Sequence, residues 1–175
     1  MAYYLEIRDN EIKGRCQCVC SGENVICIEV TEEIYNNYKK YIYSDGQIVI
    51  NPDWDNIQLE KAKTDKITLN DELRDMALVS GVTYKDVLFD SDTDQKVNLL
   101  ATVNILPDGD SIVWYGMDNK GLLCNKEDLM NIGYLITQLH TYCWTHNAEI
   151  KQAIEQATTL EELEGIEINY DEMDN

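Results

Sequence analysis

The residues best equipped for chemistry are six cysteines, at 16, 18, 20, 27, 124 and 143, and two histidines, at 140 and 146. His140, Cys143 and His146 stand three residues apart on a stretch with helical spacing. With one thiol from Cys16, Cys18 or Cys20 they would supply the four N and S donors of a tetrahedral zinc site. The spacing works against it. His140 and Cys143 can share a helix face, but His146 falls nearly two turns from His140, and C-x-C-x-C is not the C-x-x-C knuckle of such sites. The same residues would offer a Cys–His nucleophilic pair. An activated thiolate, however, needs a base in contact and a positive environment. This chain carries 33 Asp plus Glu against 14 Lys plus Arg, a formal charge of −19. The expectation is therefore that the cysteines act as small hydrophobes on packed faces. Their number is even, but three alternate within one short segment, which suits reduced thiols of a cytoplasm better than a disulfide framework.

Carboxylates offer a second candidate. Asp90-Ser91-Asp92-Thr93-Asp94 opens like a calcium loop, but Gln95 stands where the glycine belongs and Ala101 where the bidentate glutamate belongs; helix capping is the better reading. Carboxylate pairs are statistically unavoidable among 33 acids, so they carry no hydrolase argument. None of G-x-x-x-x-G-K-[ST], G-x-G-x-x-G, G-x-S-x-G or H-E-x-x-H occurs, so the readily recognised nucleotide, hydrolase and zinc-protease sites are missing. No catalytic, cofactor-binding or metal-ligating residue, and no cofactor, is expected. The charge also opposes nucleic acid and anionic membrane surfaces, whose binding rests on Lys and Arg. No uninterrupted apolar stretch is long enough to span a bilayer, and the opening MAYYLEIRDN lacks the basic and apolar regions of a signal peptide. Tyr3, Tyr4, Tyr35, Tyr38, Tyr41, Tyr43, Trp114 and Tyr115 suit either a partner-facing surface or half-buried packing.

The elements that would position these residues read as α+β. A β-rich module over 1–53 starts with a strand over 3–8 and a turn at Asp9-Asn10, then strands at 16–20 and 25–30, the first presenting its three cysteines on one face. Thr31 caps a helix over 32–40 with Glu32-Glu33 in its first turn and Lys39-Lys40 in its last. YIY and QIVI around Ser44-Asp45-Gly46 form a hairpin, and Asn51-Pro52 closes the module. A linking helix over 54–80 carries Leu59, Ala62, Leu69, Leu73 and Met76 on one stripe interrupted by Lys66, and Gly81 ends it. The C-terminal α+β module, 81–175, begins with a strand over 82–89. Ser91, Asp92 and Asp94 offer caps for a helix carrying Val97, Leu100, Ala101 and Asn104. A hairpin follows around Asp118-Asn119-Lys120. The longest helix starts after Asn125, with a seam of Leu129, Ile132, Ile136, Leu139, Cys143, His146, Ile150, Ala153 and Ala157 for an internal or inter-protomer contact. Thr158 and Thr159 offer capping boxes with Glu161 and Glu162 for a last short helix that Gly165 ends. The acidic tail beyond is expected to be solvated and frayed at its end. Two halves of this size would each be marginally stable, which favours docking or oligomerisation.

In their order, QLEKAKTDKITLNDELRD, GVTYKDVLFDSDTDQKVNLLATV, SIVWYGMDNKGLLCNKEDLMNI and HNAEIKQAIEQATTLEELEGIEI resemble a C-terminal module, without described activity, of tail-fibre and related proteins of tailed bacteriophages. The likeness covers residues 57 to about 168. VTEEIYNNYKKYIYSDGQIVINPDW is similar to the modules that open short phage tail or tail-fibre-assembly proteins. The resemblance implies a non-enzymatic phage or prophage tail protein. Its place would be the baseplate or tail-fibre attachment of the virion, or the host bacterial cytoplasm during assembly, with other tail proteins as partners and a homo-oligomer possible. A tail-fibre assembly chaperone is the alternative, and a zinc- or thiol-dependent cytoplasmic enzyme is the alternative of another class.

Overall fold

Turn chemistry fixes the N-terminal strands. Asp9 and Asn10 both take positive φ, 54° and 61°, the combination of a two-residue turn whose twist matches paired strands. It joins β1 (Tyr3–Arg8) to β2 (Glu11–Cys16), and β3 (Ile26–Val30) pairs along the other edge of β1, so the antiparallel order is β2-β1-β3. The second strand thus precedes the expected 16–20 segment: the tight turn starts β2 at Glu11, and the ladder is spent by Cys16. Gln17 and Cys18 follow in a bend. This computed structural model describes residues 2–19, 22 and 24–171. Cys20, Ser21 and Glu23 of the expected strand and turn, and the last four tail residues, lie outside them.

Thr31 caps α1 (Glu32–Asn36) by accepting from the Ile34 amide at 3.3 Å. The expected helix over 32–40 is interrupted. Asn37 caps the carbonyl of Glu33 through both its backbone and side-chain nitrogens, and only a single 3-10 turn, Tyr38–Lys40, follows. Strands β4 (Tyr41–Ser44) and β5 (Gln47–Ile50) form the hairpin around Asp45-Gly46, again with two positive φ values. Arg15 lies over the rings of Tyr35 and Tyr38, and Tyr3 packs on Tyr35. These tyrosines therefore cover their own sheet. The helix α2 (Trp54–Leu78) comes next.

The chain divides into two compact units, Met1–Glu60 and Lys61–Asn175, with the boundary inside α2. In the second unit α2 is followed by β6 (Val82–Tyr84) and β7 (Val87–Phe89), α3 (Thr93–Ile105), β8 (Ser111–Tyr115), β9 (Gly121–Asn125), α4 (Lys126–Gln156) and α5 (Leu160–Glu164). The stretch 82–89, expected as one strand, is a hairpin: Lys85 and Asp86 adopt positive φ. The 111–125 hairpin is as expected. Its core gathers Val82, Val87, Phe89, Leu99, Cys124 and the inner face of α4.

The seam of α4 starts as its sequence predicts and then rotates. Leu129, Ile132, Ile136, Leu139, Cys143 and Ile150 are buried, but Asn147 and Ile154 replace His146 and Ala153 before Ala157 closes the line. A helix of 3.6 residues per turn drifts off a strict three-four repeat over this many turns. On α2 the stripe is corrected more heavily: Leu69 and Met76 are exposed, while Asn70 is fully buried and Lys66 half-buried on the inner line. Their polar heads are satisfied. Lys66 donates to the carbonyls of Leu163 and Glu164 at the end of α5, and Asn70 donates to the backbone oxygen of Asn147. The tail is docked as far as Tyr170, whose hydroxyl donates to Asn70 Oδ1 at 2.7 Å; the end expected to fray lies outside the described residues.

A reciprocal capping box opens α4: Asn125 Oδ1 accepts from the Asp128 amide at 2.9 Å and Asp128 accepts from the Asn125 amide at 3.1 Å. Asp128 also accepts from Lys85 Nζ and the Tyr84 hydroxyl. The Lys85 ammonium, above all, holds its carboxyl below the usual carboxylate range. A depressed folded pKa gives stability that is present above the unfolded value, about 3.9, and lost as pH falls through the folded one. Asp128→Asn is expected to cost about 1–2 kcal/mol at neutral pH and to flatten this acid limb. Thermal melts of both chains from neutral pH down through the carboxylate range check it.

Candidate functional site

The feature best suited to recognition is an apolar groove between α3 and α4. Asp92 caps α3 by accepting from the Gln95 amide at 2.7 Å, which is the capping expected of the Asp90–Asp94 run. Ser91 ties the turn down beside it: it accepts from the Gly81 amide and donates to the Leu78 carbonyl. So anchored, α3 turns Leu99 into the core and leaves Val97 and Leu100, two of the residues its sequence offers, 60% and 66% exposed. The helix is apolar on several sides, and the side that packs on α4 is the one carrying Leu99 and Val103. Leu100, Val103, Met130, Gly133, Tyr134 and Thr137 line a groove of about 450 Å³.

Gly133 stands in the interior of the 31-residue α4, where glycine costs helix stability relative to alanine. Among the described residues, and apart from its chain neighbours and the adjacent helix backbone, nothing lies within 4 Å of where its Cβ would stand. The packing of this chain therefore does not require it. Gly133→Ala is expected to raise stability by about 0.5–1 kcal/mol, because it removes backbone freedom without a clash. A lower melting temperature for this variant would show that the groove floor is closed by its own chain.

Residues 61–170 match the family described as a domain of unknown function, DUF4376. The chain belongs to this family. The match begins where the second compact unit begins, so the core, groove and long helix described above all belong to the DUF4376 unit. No curated protein and no solved structure matches the chain.

Within the DUF4376 unit the histidines and cysteines singled out by their types are kept apart. His140 Nε2 donates to the Ser91 carbonyl at 2.8 Å, which leaves Nδ1 to accept from Lys96 Nζ at 3.2 Å. His146 donates to the Asn169 carbonyl, stacks on Tyr142 and meets the edge of Tyr170. Both imidazoles hold loops. Cys124 and Cys143 are fully buried, and burial pushes both thiols up, which keeps them protonated at neutral pH. Among the described residues, no group of three or more His, Cys, Asp or Glu is gathered as metal ligands, and no helix is long and apolar enough to cross a membrane.

The α3/α4 groove is not legible in the sequence, because the apolar residues of α3 do not say which of them faces α4. The signal that could have found it is Gly133, an isolated glycine in an otherwise clean helical pattern. Trp114 packs against the core with its indole N–H buried and unpartnered among the described residues, whereas Tyr115 of the same strand is exposed. The alternation of β8 thus divides the aromatic pair between packing and surface.

Proposed function

We propose that the chain is a non-enzymatic tail protein of a tailed bacteriophage or prophage, a small virion component at the baseplate or tail-fibre attachment that works through protein contacts. The observation that carries the docking part is the α3/α4 groove, with exposed apolar walls and a glycine floor that its own chain leaves open. Apolar, aromatic-rimmed grooves of this kind suit an apolar ridge from a partner. The likeness of residues 57–168 to the tail-fibre module supports the setting, and the net charge of −19 would keep such a chain dispersed before assembly.

Mass spectrometry of purified particles tests the setting. A virion component is expected at fixed copy number, and its absence from finished particles would overturn this reading in favour of an assembly chaperone. A photo-crosslinking residue in place of Tyr134 tests the groove. It should trap one tail protein at a reproducible site, whereas crosslinks confined to the chain itself would exclude the groove as the contact.

A further inference from the structure

The 14 lysines and arginines of this chain stand among 33 acids, and nearly all of them are claimed. Apart from Arg15, Lys39 and Lys40, each one holds a carboxylate, a backbone carbonyl or an imidazole. The side chains of those three make no hydrogen bond or ion pair among the described residues. A single unpaired lysine on a surface is ordinary, because exposed ion pairs are worth little. These three cations, however, are not scattered. With Asn37, Tyr38 and Trp54 they line one pocket of about 430 Å³, and among the described residues no acid lines it.

The pocket belongs wholly to the unit Met1–Glu60, and three segments build it. Arg15 comes from β2, with its guanidinium 5.2 Å from the ring centre of Tyr35 and 5.3 Å from that of Tyr38. These ring contacts restrain the guanidinium and leave its N–H donors free for an oxygen ligand. Lys39 and Lys40 come from the 3-10 turn, which the Lys40 amide closes by donating to the Asn37 carbonyl at 2.8 Å. The Asn51 amide donates to the Lys40 carbonyl at 2.9 Å and the Trp54 amide to the Asn51 carbonyl at 3.0 Å, so backbone bonds set the indole beside the lysines. Glu33, Asp53 and Asp55 are close in sequence but do not line the pocket.

We propose that this pocket docks an acidic segment of a partner protein, with carboxylates on Arg15, Lys39 and Lys40 and an apolar side chain against Trp54 and Tyr38. Charge complementarity selects this occupant. The guanidinium fork matches a carboxylate, and Arg, Trp and Tyr are the residue types that dominate protein contacts. Screening over about 8 Å at physiological ionic strength lets the local positive field act within a chain of net charge −19. A nucleic acid or an anionic bilayer extends past that distance and meets the surrounding acids, whereas a short acidic segment meets the pocket alone. Sites for small organic molecules are lined mainly by apolar side chains, and this one is lined mainly by charged and amide groups. The site lies apart from the α3/α4 groove and stands or falls independently of it and of the tail setting.

Fluorescence anisotropy of the full chain with a fluorescein-labelled peptide of alternating glutamate and leucine tests the proposal. Saturable binding is expected at physiological salt, weakened by about tenfold or more at about 0.5 M salt and lost when every glutamate of the peptide is glutamine. Arg15→Gln, and the double variant Lys39→Gln with Lys40→Gln, should each weaken binding by about tenfold, whereas Lys61→Gln, in the other unit, should change it by less than about twofold. Arg15 also packs on two tyrosines, so the lysine pair, whose side chains bond nothing among the described residues, keeps the test decisive if Arg15→Gln unfolds. Competition separates the other sources of negative charge: millimolar inorganic phosphate and vesicles containing phosphatidylserine should both leave the peptide bound. Displacement by phosphate would reveal a free-anion site and displacement by vesicles a membrane site. Either result, or unchanged affinity in the double lysine variant, would overturn the proposal.

Discussion

Replacing Phe89 by alanine is expected to destabilise the DUF4376 unit by about 3–5 kcal/mol. Phe89 is fully buried, and β7 ends on it just before the turn that anchors α3. It sits in one cluster with Val82, Val87, Leu99, Ile132 and Ile136. Truncation removes transfer free energy and leaves a cavity lined from a hairpin and two helices, which have no common direction in which to collapse. Against a total stability of about 5–15 kcal/mol, this loss moves the chain near the edge of folding at physiological temperature. Chemical denaturation of the full chain measures it, and the transition assigned to residues 61–170 is the one that should shift. Phe89→Leu, which keeps most of the volume, should recover the larger part. A loss below about 1 kcal/mol for the alanine variant would mean that the cluster is not the core of this unit.

The second large effect is expected at Asn70. Its side chain donates to the Asn147 carbonyl at 3.1 Å and accepts from the Tyr170 hydroxyl at 2.7 Å, with no exposed surface. Asn147 in turn donates to Asp71, which Lys151 and Arg74 also contact. Asn70→Ala leaves a carbonyl and a phenol unpaired in a place that water reaches poorly, for an expected cost of about 2–4 kcal/mol. Tyr170→Phe removes only one partner and should cost about 1 kcal/mol. In the double variant the two costs should fall short of additive, since each removes the same bond. Limited proteolysis gives a second reading: Asn70→Ala should make the segment after Gly165 cleavable while the helices stay intact. Strict additivity would show that Tyr170 is held by its ring contacts and not by this network.

What the sequence revealed depended on how local each cause is. Asp9-Asn10 and Asp45-Gly46 announce their turns because these residues tolerate positive φ by themselves. Lys85-Asp86 does not, and its hairpin is fixed from outside, by the Met117 amide donating to the Leu88 carbonyl at 2.8 Å and by Lys120 reaching the Asp86 carbonyl. The caps at Thr31, Asp92, Asn125 and Thr159 were legible for the same reason: each acts within four residues. Lys66 reads as an interruption of an apolar stripe, and Asn70 gives no signal at all, because their partners lie 77 to 100 residues further along the chain. The groove was hidden by excess: α3 offers Val97, Leu99, Leu100, Val103 and Ile105, and composition does not say which of them faces α4.

The unbroken run of α2 from Trp54 to Leu78 limits where the polypeptide can be shortened. A truncated chain starting at Lys61, where the family match opens, would begin inside a helix and strand new amide hydrogens that had carbonyl partners one turn earlier. Starting at Asn51 keeps the natural entry: the Asn51 side chain accepts from the Asp53 amide, and its carbonyl accepts from Trp54. A fragment meant for crystallisation or display is therefore better cut ahead of Asn51-Pro52 than at the homology boundary, and the ten extra residues are the difference between a capped end and a ragged one.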